Sequence, residues 1–284
     1  MRNHRGLCAL LLAVVLGLVY AGAARAADKV VKYARFRAGK VTAYGVVEGD
    51  VIHQISPNPF VKWKKTGQTY PLAEVQLLAP TRPTQVLAMA GNYRSHLSGA
   101  QVPEKFRTPQ AFFKTPSCVI ANEANIVIPQ GAENVHFEGE MVIVIGKRAK
   151  NVSRERALEY VLGVTCGNDV SARDWQKNDV QWWRAKGSDT FGPCGPVVVS
   201  GLNYDDLQLR LRLNGEVKQE ARTSELIHDV PTMVSYLSRY VTLHPGDLIY
   251  TGTPGKTAAL KPGDVVEVEI EGVGILRNKV TAAR

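Results

Sequence analysis

His136, Glu138 and Glu140 alternate with Phe137, Gly139 and Met141 in "VHFEGEMVIVIG" (residues 135–146), and from Met141 the segment becomes unbroken aliphatics. In an extended strand alternate side chains share a face, so Glu138 and Glu140 rise from Cα atoms about 6.5 to 7 Å apart and their carboxylates can converge on one point. Two ionised carboxylates that close repel each other unless one takes a proton or a cation lies between them. A hard divalent ion that prefers oxygen ligands, Mg2+, Mn2+ or Ca2+, resolves the repulsion. A hydrated strand edge accommodates two glutamates equally well, so this pair alone leaves the choice open.

Three further segments carry chemistry-bearing side chains. In "GVTCGNDVSARDWQ" (163–176) an apolar run ends at Gly167-Asn168, and Asp169, Arg173, Asp174 and Gln176 follow at once. Asp169 can act as a third carboxylate, with Arg173 and Gln176 facing a substrate carboxylate or carbonyl. The simpler reading of the segment alone is a helix start capped by Asp169 or Ser171. In "WWRAKGSDTFGPCGP" (182–196) Lys186 sits among aromatics, glycines and prolines, where an ordered loop can aim an ammonium at an oxyanion; an exposed loop lysine is the plainer alternative. "YTGTPGKTA" (250–258) imitates the end of a phosphate loop, but Tyr250 stands where that motif requires glycine, so a nucleotide loop is excluded. With no G-x-S-x-G elbow and no cysteine in a nucleophile context, acyl-enzyme chemistry has no support.

The elements that must position these residues read as strands. Residues 30–56 alternate apolar and polar positions around Gly39 and Gly49, a meander pattern, and residues 58–84 read as a Pro/Gly/Lys-rich connector, with a boundary near Pro80. From residue 86 onward short apolar runs recur, "CVIA", "NIVIP", "MVIVIG", "LGVTCG", "PVVVSG", "LRLRLNG", "DLIYTGTP" and "DVVEVEIEG", bounded by Gly or Pro and rich in β-branched residues. Helical period is confined chiefly to 153–163, with Ser153 as N-cap, and to 230–241.

The N-terminus combines Arg2 and Arg5, an apolar run over 7–24 and "ARA" at 24–26, the three parts of a secretory signal. The expectation is cleavage after Ala26, export to the periplasm and no stable membrane anchor; the rival is an uncleaved anchor over 7–24. Residues 1–26 carry three arginines and no acid, so their removal lowers the net charge from +9 to +6. The remaining cations are scattered, without arginine-rich runs or interleaved aromatics, which argues against nucleic acid. Cys118, Cys166 and Cys194 are odd in number and widely spaced, encoding neither a disulfide framework nor a thiolate zinc site.

Taken together, "GNYRSH" (91–96), "FFKTPS" (112–117), "HFEGEMVIVIGK" (136–147), "GVTCGNDVSARDWQ", "RAKGSDTFGPCGP", "LNGEVKQEARTSELI" (213–227) and "PGDLIYTGTP" (245–254) resemble the fumarylacetoacetate hydrolase family, in that family's order, over roughly residues 84–270. The resemblance implies a mainly β (α+β) fold: a mixed β-sandwich or roll catalytic domain over 81–284 behind a small N-terminal β domain over 27–80, usually assembled as a homodimer. It implies a Mg2+ or Mn2+ ion on Glu138, Glu140 and Asp169, with Ca2+ as a variant, an active-site lysine at Lys186, and Arg173, Gln176 and Thr253 lining the site for a small oxo-acid. His96 matches the histidine that, with a glutamate three residues on, activates water or moves a proton. Here that position is Gly99, and Ser95 replaces the acid common before the histidine; Glu104 in the same loop is the available substitute.

The activity so implied is a metal-dependent hydrolase or lyase, or an isomerase, acting on 2-oxo acids such as acylpyruvates and ring-cleavage products. The metal would chelate the oxo-acid, Lys186 and Thr253 would steady enolate charge, and His96 would handle protons. The missing glutamate shifts weight from hydrolysis toward reactions that need no activated water. The competing class is an exported protein that binds metal and oxo-acid without turnover; a structural β-domain without a site is the third.

Overall fold

The computed structural model describes residues 29–97 and 101–283. The signal-peptide and membrane-anchor expectations, and Gly99, lie outside these residues. Among the described residues no helix is long and apolar enough to cross a membrane.

The chain forms, in order, β1 (Val31–Ala38), β2 (Val41–Glu48), β3 (Val51–Ser56), β4 (Lys64–Pro71), β5 (Gln76–Leu77), β6 (Val86–Met89), β7 (Ala111–Lys114), β8 (Val119–Ile120), β9 (Ile126–Ile128), β10 (Val135–His136), β11 (Gly139–Ile145), β12 (Val161–Asn168) and β13 (Ser171–Ala172). There follow α1 (Arg173–Asn178), α2 (Trp183–Gly187), β14 (Gly192–Ser200), β15 (Gln208–Leu213), β16 (Glu216–Arg222), α3 (Val230–Tyr240), β17 (Leu248–Tyr250), β18 (Val265–Ile270) and β19 (Gly274–Ala282).

A large sheet runs β4-β3-β2-β1-β14-β12-β11-β17-β6-β7, and a second runs β16-β15-β18-β19-β9. The N-terminal meander joins the large sheet edge to edge, with Val31 opposite Ser200 and Tyr33 opposite Val198. β11 lies inside that sheet, and every residue of it is buried. Its period of two divides two apolar layers. Met141, Ile143 and Ile145 face the layer shared with Leu209, Leu211, Val268 and α3, whereas Val142 and Val144 face Tyr33, Val86 and Tyr250. Covering both faces is why this strand reads as a solid aliphatic run rather than an alternation.

The mainly β expectation holds, with three local corrections. Residues 153–163 do not form an α-helix: Arg154–Tyr160 is a 3-10 segment whose Ser153 makes no capping bond, and the chain then enters β12. Pairing of β12 with both β11 and β14 claims the apolar residues that suggested a longer helix. The connector over 58–84 contains β4, a mostly exposed strand on the sheet edge rich in lysine and polar side chains, which protects that edge against further pairing. Finally, neither Asp169 nor Ser171 caps a helix; α1 begins at Arg173 behind Ala172, which has no side chain that could cap it.

Candidate metal centre

Strand register brings the acids together. Gly139 pairs with Asn168 and Glu140 with Gly167, so continuation of the ladder sets Glu138 across from Asp169, whose N–H donates to the Glu138 carbonyl at 2.8 Å. The Asn168 side chain holds the same turn by accepting the Glu138 N–H at 2.8 Å. Carboxylate oxygens of Glu138, Glu140 and Asp169 all lie within 4.8 Å of one another, and all three residues are buried. Burial decides against the hydrated-edge reading of the glutamate pair, because charges removed from water need partners. Three hard oxygen donors at this spacing fit a divalent ion that prefers oxygen. The Asn168 amide nitrogen, buried at the same turn, has no partner among the described residues.

Cations surround the trio. Lys186, on α2, donates to Glu138 Oε2 at 2.6 Å and to Asp169 Oδ2 at 2.7 Å. Arg173, at the start of α1, bonds Glu138 Oε1, Gln176 Oε1 at 2.8 Å and Thr257 Oγ1 at 3.0 Å. Burial opposes ionisation of Glu138, but Lys186 and Arg173 outweigh it and hold its carboxyl well below the usual range. Glu140 is pushed the other way by burial and by repulsion from Asp169 and Glu138, only partly relieved by the Gly252 N–H at 2.7 Å. Burial likewise opposes the Lys186 charge, yet Asp169 and Glu138 keep its ammonium above the ordinary lysine value.

The loop after β17 continues alongside β11. Thr251 N–H donates to Met141 O, Gly252 N–H to Glu140, and the Thr253 hydroxyl to Gly139 O at 2.9 Å. Gly252 has φ +100°, and a Cβ there would come within 2.8 Å of the Asn92 side chain, so both conformation and space require glycine. Because the Thr253 hydroxyl proton is already engaged, its contribution to substrate charge is narrower than the sequence suggested. Gln219 of β16 locks the loop by accepting from Gly139 N at 2.9 Å and donating to Thr253 Oγ1 at 2.9 Å and to Pro254 O.

His96 sits in the short turn Arg94–His96, its Nε2 3.9 Å from Glu138 Oε1 and its Nδ1 2.7 Å from Gly255 O. Gly255 in turn donates its N–H to Ser95 Oγ at 3.1 Å. Glu104 does not substitute for the missing dyad acid here; it is exposed and paired with Arg107 at 2.8 Å. His136 remains beside the site, held by Thr257 and Asn134, rather than in the carboxylate cluster.

His96, Glu138, Glu140, Arg173, Gln176, Lys186 and Thr253 line one cavity of about 290 Å3, walled on its apolar side by Met89, Leu97, Phe106, Phe112 and Trp182; Asp169 completes the trio just behind it. A larger groove of about 630 Å3 near Val30, Trp63 and Val197 brings no comparable cluster of acids and bases. Sequence reasoning missed Lys114, Gln219, Thr257 and the Gly255 carbonyl. Lys114 and Gln219 fall within the family-like blocks "FFKTPS" and "LNGEVKQEARTSELI", and Gly255 and Thr257 within "YTGTPGKTA", but nothing local singles them out, since their roles exist only once β7, β16 and the loop after β17 meet the carboxylates.

The model for "Fumarylacetoacetate (FAA) hydrolase C-terminal" matches residues 85–281, and that for "Rv2993c-like, N-terminal" matches residues 31–80. Protein Rv2993c of Mycobacterium tuberculosis is 46% identical over 80% of this chain and 86% of its own. The structure of 5-carboxymethyl-2-hydroxymuconate delta-isomerase from Mycobacterium smegmatis is 41% identical, with TM-score 0.83 over 89% of this chain and 100% of that one. Maleylpyruvate hydrolase from Sphingobium sp. SYK-6, solved with manganese(II) and pyruvate, is 28% identical, with TM-score 0.73 over the same shares. These findings overturn the expectation of a periplasmic, exported protein: the relatives include archaeal proteins and a Bos taurus mitochondrial oxaloacetate tautomerase FAHD2A, 39% identical over 74% of this chain and 71% of its own. Cys118, Cys166 and Cys194 are free and buried, in the manner of inert core thiols.

Proposed function

The chain belongs to the fumarylacetoacetate hydrolase family, and from that premise we propose that it is a divalent-metal-dependent enzyme acting on small 2-oxo acids, by tautomerisation or decarboxylation in preference to hydrolysis. The observation that carries this reading is the buried trio Glu138, Glu140 and Asp169, whose two glutamates line one cavity with His96. Relatives with manganese and pyruvate, or named for oxaloacetate, support the metal and the substrate class.

Glu138, Glu140 and Asp169 would hold Mg2+ or Mn2+, which when bound would supply Lewis acidity toward a 2-oxo carboxylate. Arg173, braced by Gln176 and Thr257, offers a guanidinium to the substrate carboxylate. Lys186 offsets the negative charge that develops on the oxo oxygen as a proton or carboxyl group leaves the neighbouring carbon. His96 is the proton carrier: Gly255 O can only accept, so Nδ1 bears the hydrogen and Nε2 faces the cavity as a base. The Gly255 carbonyl takes the orienting place that the family gives to the dyad glutamate, and that departure is what weights the reading toward reactions needing no activated water. Phe106, Phe112 and Trp182 limit water on the opposite wall. A cavity of about 290 Å3 suits acids of a few carbons.

The proposal includes a homodimer, to be read by light scattering, and a division near Pro80 between the N-terminal strands and the catalytic domain. The deciding experiment incubates purified protein with Mg2+ or Mn2+ and oxaloacetate, acylpyruvates or unsaturated oxo-diacids, following proton exchange and products by NMR. Chelator-sensitive enol–keto exchange or loss of CO2 is expected; recovery of every compound without exchange or change would refute the enzyme reading.

A further inference from the structure

Asp169 is gripped from two sides by lysines held in different ways. Lys114 Nζ donates to Asp169 Oδ1 at 2.6 Å, to Phe191 O at 3.1 Å and to Lys186 O, its side chain is 0% exposed, and it lies 5.7 Å from the Tyr250 ring centroid. Two of its three acceptors are backbone carbonyls outside the carboxylate trio. Lys186 Nζ, by contrast, donates to Glu138 Oε2 and Asp169 Oδ2, both oxygens of the trio, and its other ring-facing contact is Phe112, whose centroid is 5.1 Å away on the cavity wall.

Resting on the metal reading above, we propose that Lys114 is a positioning residue that fixes Asp169 as a one-oxygen ligand, while Lys186 is a resident cation that a divalent ion must displace. A divalent ion drawing on Glu138 and Asp169 would compete with the Lys186 ammonium, which already occupies one oxygen of each. Two cations crowded onto the same pair of buried carboxylates repel each other. Lys114 has no such conflict, because its oxygen of Asp169 is the other one and its carbonyl partners are unaffected. Lys186 has a flexible four-carbon stem and the Phe112 ring face within reach as a resting place. Moving there turns the ammonium from the carboxylates toward the cavity. Metal loading therefore releases a cation where an oxo-acid's negative charge arrives, and the two binding events are coupled.

Charge counting alone treats the two lysines alike: removing either takes one positive charge from beside the same carboxylates and should tighten metal binding. The exchange predicts a difference. Calorimetric titration of Mn2+ into the full-length protein and into Lys186→Met, Lys186→Gln and Lys114→Met variants reads it, with circular dichroism checking the fold. Both Lys186 variants should bind Mn2+ roughly fivefold or more tightly than the parent. Lys114→Met should show no tightening, because Asp169 loses its anchor. A parent and Lys186 variants that bind equally, or equal tightening on removing either lysine, would overturn the proposal while leaving the metal site standing. If Lys114→Met does not fold, Lys114→Gln, which removes the same charge but keeps a donor toward the Phe191 and Lys186 carbonyls, takes its place in the comparison. If neither parent nor Lys186 variants bind Mn2+, the metal reading falls and the exchange falls with it.

Discussion

The Nδ1 atom of His96 lies 2.7 Å from the carbonyl oxygen of Gly255, and its Nε2 lies 3.9 Å from Glu138 Oε1. A backbone carbonyl thus orients the imidazole in a chain where Gly99 replaces the family's dyad glutamate. His96→Gln should lower kcat by roughly 10²- to 10⁴-fold, the usual worth of a positioned proton carrier. Glu104→Ala should leave kcat unchanged, because that carboxylate is spent on Arg107 at the surface. Steady-state kinetics on whichever oxo-acid the screen identifies compares the two; an equal loss in both would restore Glu104 as the dyad acid.

Glu138→Gln, Glu140→Gln and Asp169→Asn should each weaken Mn2+ binding by more than the 10- to 100-fold that loss of an outer partner costs. Each amide keeps the shape of the acid and removes one charged donor. Calorimetry with thermal melting reads affinity and fold separately, and a variant that binds as the parent does would remove that residue from the ligand set.

Gln219→Leu should destabilise the protein by about 1–3 kcal/mol, the cost of stranding a buried donor, since Gly139 N loses its acceptor. The same change frees the Thr253–Pro254 loop. Urea unfolding midpoints give the first effect. The second should appear as weaker substrate binding at unchanged metal affinity.

Alkaline pH should weaken the fold from about pH 9 upward. Burial pushes the Cys118 thiol up to about 11 and the Cys166 thiol up to about 12, both from 9.0, and raises Cys194 further. Between those values the unfolded chain has lost thiol protons that the folded chain retains, so the folded state binds more protons and stability falls as pH rises. Stability from this source is complete below about 9 and disappears through the folded values, at on the order of 1 kcal/mol per pH unit for each thiol. Urea titrations under reductant across that range measure the slope; a flat or rising profile contradicts it.

Much of the frame was legible in the chain because burial on both faces leaves a plain trace. β11, β12 and β14 each announce themselves as runs rich in β-branched residues and bounded by Gly, Pro or Asn. Local period over Arg154–Tyr160 suggests a helix, but the residues that follow are claimed by strand partners distant in sequence. β4 leaves no strand signal because an exposed, lysine-bearing edge strand resembles a connector.

What the sequence determined by itself was the chemical inventory: two glutamates on one strand face, an aspartate closing another strand, a lysine among aromatics, and a histidine without its expected glutamate. Those are properties of residue type and short spacing, which local geometry carries. What only the tertiary structure decided was the pairing. The register of β11 against β12 sets Asp169 across from Glu138, Lys114 crosses from β7 to the far oxygen of Asp169, Gln219 reaches in from β16, and Gly255 lends a carbonyl to His96. The three hydrogen bonds among these span 55 positions of chain for Lys114 with Asp169, 80 for Gln219 with Gly139 and 159 for His96 with Gly255. Hydrogen bonds at that separation depend on how whole sheets meet, and no local pattern records them.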